Sequence, residues 1–157
     1  MAKPPSILTP HQKEVLEHIA NEPYFTARYY LAGGTALSEF YLHHRDSEDL
    51  NLFTEKSEVN PLRVSEFFGR TASKLSIASI ETKRFLGLHS FFLHFNDGEV
   101  LKVDFNYYPF QRIEKGVLFG NLEIESIYDI AVDKVHTIVL KARARDYIDL
   151  FFIIRKK

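Results

Sequence analysis

Asp49, Asn51 and Asp104 are the residues of this 157-residue chain whose types and spacing most directly permit chemistry. Asp49 and Asn51 alternate with Leu50 and Leu52 in Asp49-Leu50-Asn51-Leu52-Phe53. A period of two is a strand signal, so the carboxylate and the amide leave one face within reach of a common ion. Asp104 sits in Leu101-Lys102-Val103-Asp104-Phe105-Asn106-Tyr107, where Lys102, Asp104 and Asn106 share one face and the apolar residues share the other. If the two strands are neighbours, three oxygen donors converge, and hard oxygen donors suit Mg2+ or Mn2+. Gly33-Gly34-Thr35 is placed between a strand pattern and a helix pattern. A glycine pair there lets a phosphate approach backbone N–H groups at a helix N-terminus, where the partial positive charge favours anions. Each feature also has an ordinary alternative. Glycine turns occur between strands and helices that bind nothing, and a polar side chain on the outward face of an antiparallel strand is common. His43 and His44 diverge on a helix, and His89 and His94 differ in strand parity, so neither pair reads as a zinc site.

The elements that must position these residues follow from local signals. Thr9, Pro10 and Gln12 give a capping box and a first-turn proline, opening a helix with Val15, Leu16 and Ile19 on its apolar face and ending at Asn21 to Pro23. Tyr29 to Ala32 reads as a short buried strand, followed by a helix from Thr35 to His43. Asn60-Pro61 opens another helix whose apolar members are Val64, Phe67, Phe68 and Leu75. From Ser76 the pattern turns to strands over Ile77 to Phe85, His89 to Phe95 and Glu99 to Tyr108, with Asn96-Asp97-Gly98 as the hairpin turn between the last two. A weaker strand pair, Val117 to Phe119 and Leu122 to Ile124, flanks Gly120-Asn121. Ser126 and Asp129 have cap spacing for a helix to Ala142, and a last helix covers Arg145 to Ile154. This order predicts an α+β fold, a mixed β-sheet with flanking helices, in a single domain over residues 1–157.

Composition narrows the classes further. With 45% hydrophobic and 26% charged residues, and no apolar run long enough to span a bilayer, neither a disordered chain nor a membrane protein is expected. A net charge of -1 argues against coating nucleic acid by charge alone. Basic residues do gather toward the C-terminus, at Lys134, Lys141, Arg143, Arg145, Arg155, Lys156 and Lys157, and these form either an acceptor-binding patch or a solvated helix face. The absence of cysteine excludes disulfides and thiolate metal sites. The first residues resemble no secretion signal, so the expected compartment is the cytoplasm.

Two stretches taken together carry a resemblance. Tyr30-Leu31-Ala32-Gly33-Gly34-Thr35-Ala36-Leu37, followed by His44-Arg45-Asp46-Ser47-Glu48-Asp49-Leu50-Asn51-Leu52-Phe53, resembles the signature of the AbiEii/AbiGii toxin family of nucleotidyltransferases. Lys102-Val103-Asp104 looks like that family's third-carboxylate strand, and Asp129 to Leu150 looks like its closing helices with an Arg/Lys-Asp-x-x-Asp motif. The resemblance implies a DNA polymerase beta-like nucleotidyltransferase that binds an NTP and Mg2+ (or Mn2+). It would transfer a nucleotide to an RNA, tRNA included, or to a protein hydroxyl, as the toxin partner of a cognate antitoxin. By the same resemblance Asp49 is a metal ligand bridging to the triphosphate, and Asp104 ligates a second metal and helps activate the acceptor hydroxyl. Gly33, Gly34 and Thr35 would cradle phosphates, with Arg45 and Ser47 at the nucleotide and Arg45 as a hinge or phosphate contact. Lys134 would neutralise triphosphate charge, and Asp146 would be a polar or acid–base group nearby. For Lys134 a solvated position on an amphipathic helix is the alternative. For Asp146 and Asp149 it is pairing with Arg143, Arg145 or Lys141, and for the His44-Arg45 pair it is anchoring to backbone carbonyls.

Two departures follow. Asn51 stands where the family has a second carboxylate, which lowers the expected metal affinity. The chain is then a weakened enzyme, a catalytically impaired NTP- or partner-binding module, or an enzyme recruiting Glu48, which regular alternation would place on the opposite strand face. Relatives also continue into a further helical region, so a reduced or missing C-terminal part is expected.

Overall fold

The computed structural model describes residues 2–156. Helix α1 (Pro10–Ala20) begins as its capping box requires: the Thr9 hydroxyl accepts from the Gln12 backbone N–H, and the Gln12 side chain accepts from the Thr9 N–H. A single turn not anticipated from the sequence, α2 (Pro23–Thr26), follows and buries Phe25. Strand β1 (Tyr30–Ala32) runs into α3 (Gly33–Leu37), which continues through a π-helical turn over Ser38–Leu42. Then come β2 (Leu50–Thr54), α4 (Pro61–Thr71), β3 (Ile77–Phe85), β4 (Leu88–Phe95), β5 (Val100–Tyr107), β6 (Leu118–Phe119) and β7 (Leu122–Ile124). Helices α5 (Ile127–Lys141) and α6 (Ala144–Arg155) close the described chain. The α4 helix stops at Thr71, so Leu75 joins the core from beyond the helix.

Among the described residues, seven strands form one mixed sheet in the order β3-β4-β5-β2-β1-β7-β6. The β2–β5 and β1–β7 pairs are parallel and the others antiparallel. One sheet face carries Leu50, Leu52, Phe91, Leu93, Val103 and Phe105, all buried under the apolar sides of α1 and α4. Aromatic rings fill the gap at edge-to-face or tilted angles, with Phe25 4.8 Å from Phe67 and Phe68 5.8 Å from Phe91. The alternation in β2 and β5 therefore sends Asn51, Lys102, Asp104 and Asn106 to the opposite face.

The two C-terminal helices dock differently. The buried residues of α6 are Asp146, Asp149 and Ile153, whereas Val139 and Leu140 on α5 and Ile154 on α6 are 77%, 74% and 68% exposed. Ion pairs thus hold α6 in place together with Ile153 and Leu150, which pack on the core. Among the described residues, no helix is long and apolar enough to cross a membrane.

Candidate active site

The conjunction that the sequence left conditional is met. Strands β2 and β5 are parallel neighbours, and Asn51 is directly opposite Asp104 in the register. Both line a cleft of about 310 Å³ together with Asp49, Gly33, Gly34, Ser47, Arg45 and Lys134. Asp49 comes one residue before β2 rather than inside it. Because regular strand geometry begins only at Leu50, the alternation argument fails at Glu48, which also lines the cleft instead of facing away.

The loop before β2 is tied down from several sides. The Gln12 amide donates to the carbonyls of Ser47 and Glu48 at 2.7 and 2.9 Å. The fully buried Thr35 hydroxyl bonds to the Asp49 carbonyl and shares a hydrogen bond with the Ser47 hydroxyl at 2.8 Å. Thr35 is therefore a strut beneath the cleft, not part of its lining. The glycine pair is required by close approach. Gly33 has φ +76°, and a Cβ there would sit 2.9 Å from the Asn51 amide nitrogen. At Gly34 a Cβ would come 2.5 Å from an Arg45 guanidinium nitrogen.

The carboxylates have the properties of an incomplete cation site. Asp104 is 5% exposed; one oxygen accepts from the Ser90 hydroxyl at 2.6 Å and the other pairs with Lys102 at 3.1 Å. Burial pushes Asp49 above the usual carboxylate range, Lys102 works against this, and the Asp104 charge adds to it. Two carboxylates and an amide oxygen in one polar cleft fit a hard divalent ion such as Mg2+ or Mn2+. Among the described residues, the compact grouping of three His, Asp or Glu side chains is His11, Asp97 and Glu99, none of which lines the cleft.

His44, Arg45, Lys134 and Arg143 converge on the aspartates of α6. Lys134 is 7% exposed, so it is not a solvated helix-face lysine. Its ammonium lies 2.9 Å from both Asp146 and Asp149. Arg45 grips Asp149 with two nitrogens at 2.7 and 2.8 Å, and His44 Nε2 reaches the same carboxylate at 2.7 Å. The His44-Arg45 pair is thus anchored mainly on a carboxylate rather than on backbone carbonyls. Arg143 adds a 3.2 Å contact to Asp146, one of the pairings anticipated, while Lys134 was the missed partner. Burial alone would raise Asp149, but hydrogen bonds from Arg45, Lys134 and His44 outweigh it and hold the carboxyl well below its usual range. Asp146 is likewise lowered against its burial, by Lys134 and then Arg143. Asp146 is fully buried behind Lys134 and does not line the cleft.

Sequence reasoning missed Glu125 and Asp133. Glu125 follows β7, is 2% exposed and lines the cleft with Asp133 of α5. Burial, then the neighbouring Asp133, raises Glu125; burial also raises Asp133. No motif flags either residue, although an acidic residue directly before a helix cap and another beside Lys134 are visible in the chain.

The family model for the nucleotidyl transferase AbiEii toxin of Type IV toxin–antitoxin systems matches residues 14–157. No curated protein matches the chain. Among solved structures, JHP933 from Helicobacter pylori superposes with a TM-score of 0.65 at 22% identity, covering 91% of this chain and 64% of that one. The chain therefore spans somewhat less than two thirds of that protein. A second H. pylori structure, described as that of a proposed nucleotidyltransferase, gives a TM-score of 0.66 at 23% identity over 94% of this chain and 70% of its own. The Megavirus polyadenylate synthase gives 0.59 at 12% identity, over 92% and 32%. At these identities the likeness concerns the fold.

Proposed function

The chain belongs to the AbiEii nucleotidyl transferase toxin family of Type IV toxin–antitoxin systems, and from that premise we propose that its cleft transfers a nucleotide from an NTP to a hydroxyl acceptor. The observation that carries this reading is the parallel β2–β5 register, which sets Asn51 beside Asp104 and brings both, with Asp49, to the glycine loop and Lys134. In the reaction an acceptor hydroxyl oxygen bonds to the α-phosphorus as its proton passes to water, the bond to the bridging oxygen of the β-phosphate breaks, and pyrophosphate leaves.

Asp49, Asn51 and Asp104 would hold Mg2+ or Mn2+, which supplies charge neutralisation on the triphosphate and a lowered pKa for the acceptor hydroxyl. The backbone N–H of Gly34 would donate to a phosphate oxygen, and Gly33 lets the phosphate approach closely. Of the three N–H bonds of Lys134, two are used by Asp146 and Asp149, which leaves one for the triphosphate. Asp146, Asp149 and Arg45 act as positioning residues that hold the ammonium and the loop. The Ser90 hydroxyl orients Asp104. The acceptor is an RNA, tRNA included, or a protein hydroxyl; a cognate antitoxin is the partner and the cytoplasm the compartment.

Asn51 favours a second reading, nucleotide binding without efficient transfer, because an amide lacks the charge that draws cations together. Incubation with each NTP, Mg2+ or Mn2+ and total tRNA, followed by pyrophosphate release, tests the first. Release that disappears in Asp104→Asn supports transfer; binding of NTP without release, restored by Asn51→Asp, supports the second.

A further inference from the structure

Glu125 and Asp133 line a part of the cleft wall to which the motif roles assign no task. Glu125 Oε2, Asp133 Oδ2 and the Tyr30 hydroxyl are buried without a hydrogen-bond partner among the described residues. Burial raises both carboxyl groups above their ordinary range, and the neighbouring Asp133 adds to the rise at Glu125. That arrangement leaves them able to accept from a ligand, and acceptance is what an orphaned carboxylate oxygen gains most from.

Their position says which ligand group they meet. The Gly33 backbone N–H abuts Glu125, so the pair adjoins the loop read above as the phosphate cradle. Phosphates offer acceptors only and cannot satisfy carboxylates. The next group along a nucleotide is the ribose, whose vicinal hydroxyls are two O–H donors, and carboxylates bind ribose hydroxyls in this way in other nucleotide sites. Beyond the pair, Tyr108, Phe110 and His136 wall a second hollow of about 190 Å³, which leaves room for a base past the sugar.

We propose that Glu125 and Asp133 bind the ribose hydroxyls of the nucleotide and so select ribonucleotides over deoxyribonucleotides. This rests on the nucleotidyltransferase reading. The test is calorimetric titration, with Mg2+ present, of the four NTPs, their 2′-deoxy and 3′-deoxy forms, and inorganic tripolyphosphate. Hydrogen bonds to a charged acceptor predict at least about tenfold tighter binding of an NTP than of its deoxy forms. Glu125→Gln and Asp133→Asn, two near-isosteric changes made separately, should each shrink that ratio while tripolyphosphate binding stays as it was. Equal affinity for ribo and deoxy forms, or a ratio unmoved in both variants while tripolyphosphate still binds, overturns the ribose assignment alone. Failure of tripolyphosphate and every NTP to bind removes the underlying reading and this assignment with it.

Discussion

Two sets of ionisable side chains, one behind the cleft wall and one lining it, have opposite hydrogen bonding. Around Asp149 and Asp146, Lys134, Arg45, His44 and Arg143 supply donors at 2.7 to 3.2 Å to every carboxylate oxygen. At Glu125 and Asp133, two oxygens meet no donor. The first set shares the docking of α6 with apolar packing: the helix buries two aspartates beside Ile153, with Leu150 packed against the core and Phe152 against His44. The second set contributes nothing comparable to docking and leaves accepting capacity in the cleft. A satisfied ionic cluster fixes geometry, whereas an unsatisfied one keeps the ability to bind.

Neutralising each set should therefore change stability in opposite directions. The largest effect is expected for Asp149→Ala, which strands Lys134, Arg45 and His44 and should cost about 3–5 kcal/mol in urea unfolding at pH 7. Because the Asp149 carboxyl is held below its ordinary 3.8, its stabilisation is present above that pH and fades as pH falls through and below it. The gap between wild type and variant should accordingly narrow in acid. A gap constant from pH 7 to pH 3 would mean that packing, not charge, was lost.

The opposite sign is expected at Glu125. Its folded pKa is raised above the ordinary 4.5, so the folded state holds a proton that the unfolded state has released, and stability falls as pH rises above 4.5. Glu125→Gln carries no such penalty and should be more stable than wild type at pH 8, by on the order of 1–3 kcal/mol, with little difference at pH 4. Thermal melts at the two pH values check this, and destabilisation at pH 8 would break the contrast.

A smaller change tests the glycine loop that joins the two sets. Gly34→Ala places a methyl 2.5 Å from the Arg45 guanidinium, so that flexible side chain must shift and its grip on Asp149 loosens. A loss of about 1–3 kcal/mol is expected from such overpacking, measured by denaturant titration. Asn51→Asp should have the least effect on folding and show instead in Mg2+ titration, as tighter binding above the pH at which the raised Asp49 group ionises.

Much of this was legible in the chain because the informative signals are local. The capping box at Thr9, the Asn60-Pro61 start and the hairpin turn at Asn96 to Gly98 each act within a few residues, and the helices and strands formed there. The face carrying Asn51 and Asp104 was readable from alternation, since one buried face forces the other outward. Long-range pairing was not. Whether β2 and β5 were neighbours, which donors Asp149 would meet, and that Glu125 and Asp133 would meet in one cleft all depend on contacts across the fold. Glu48 was misplaced for a related reason: a period-two pattern cannot tell where a strand begins.

The most direct test of the account follows the fate of the α-phosphate. The protein is incubated with NTPs labelled at the α- or the γ-position, Mg2+ and total tRNA or protein, beside Asp104→Asn and Lys134→Ala. The account predicts acceptor labelled from the α-position and not the γ-position, lost in Asp104→Asn and strongly reduced in Lys134→Ala. Label arriving from the γ-position, or α-label transfer undiminished in Asp104→Asn, would contradict it.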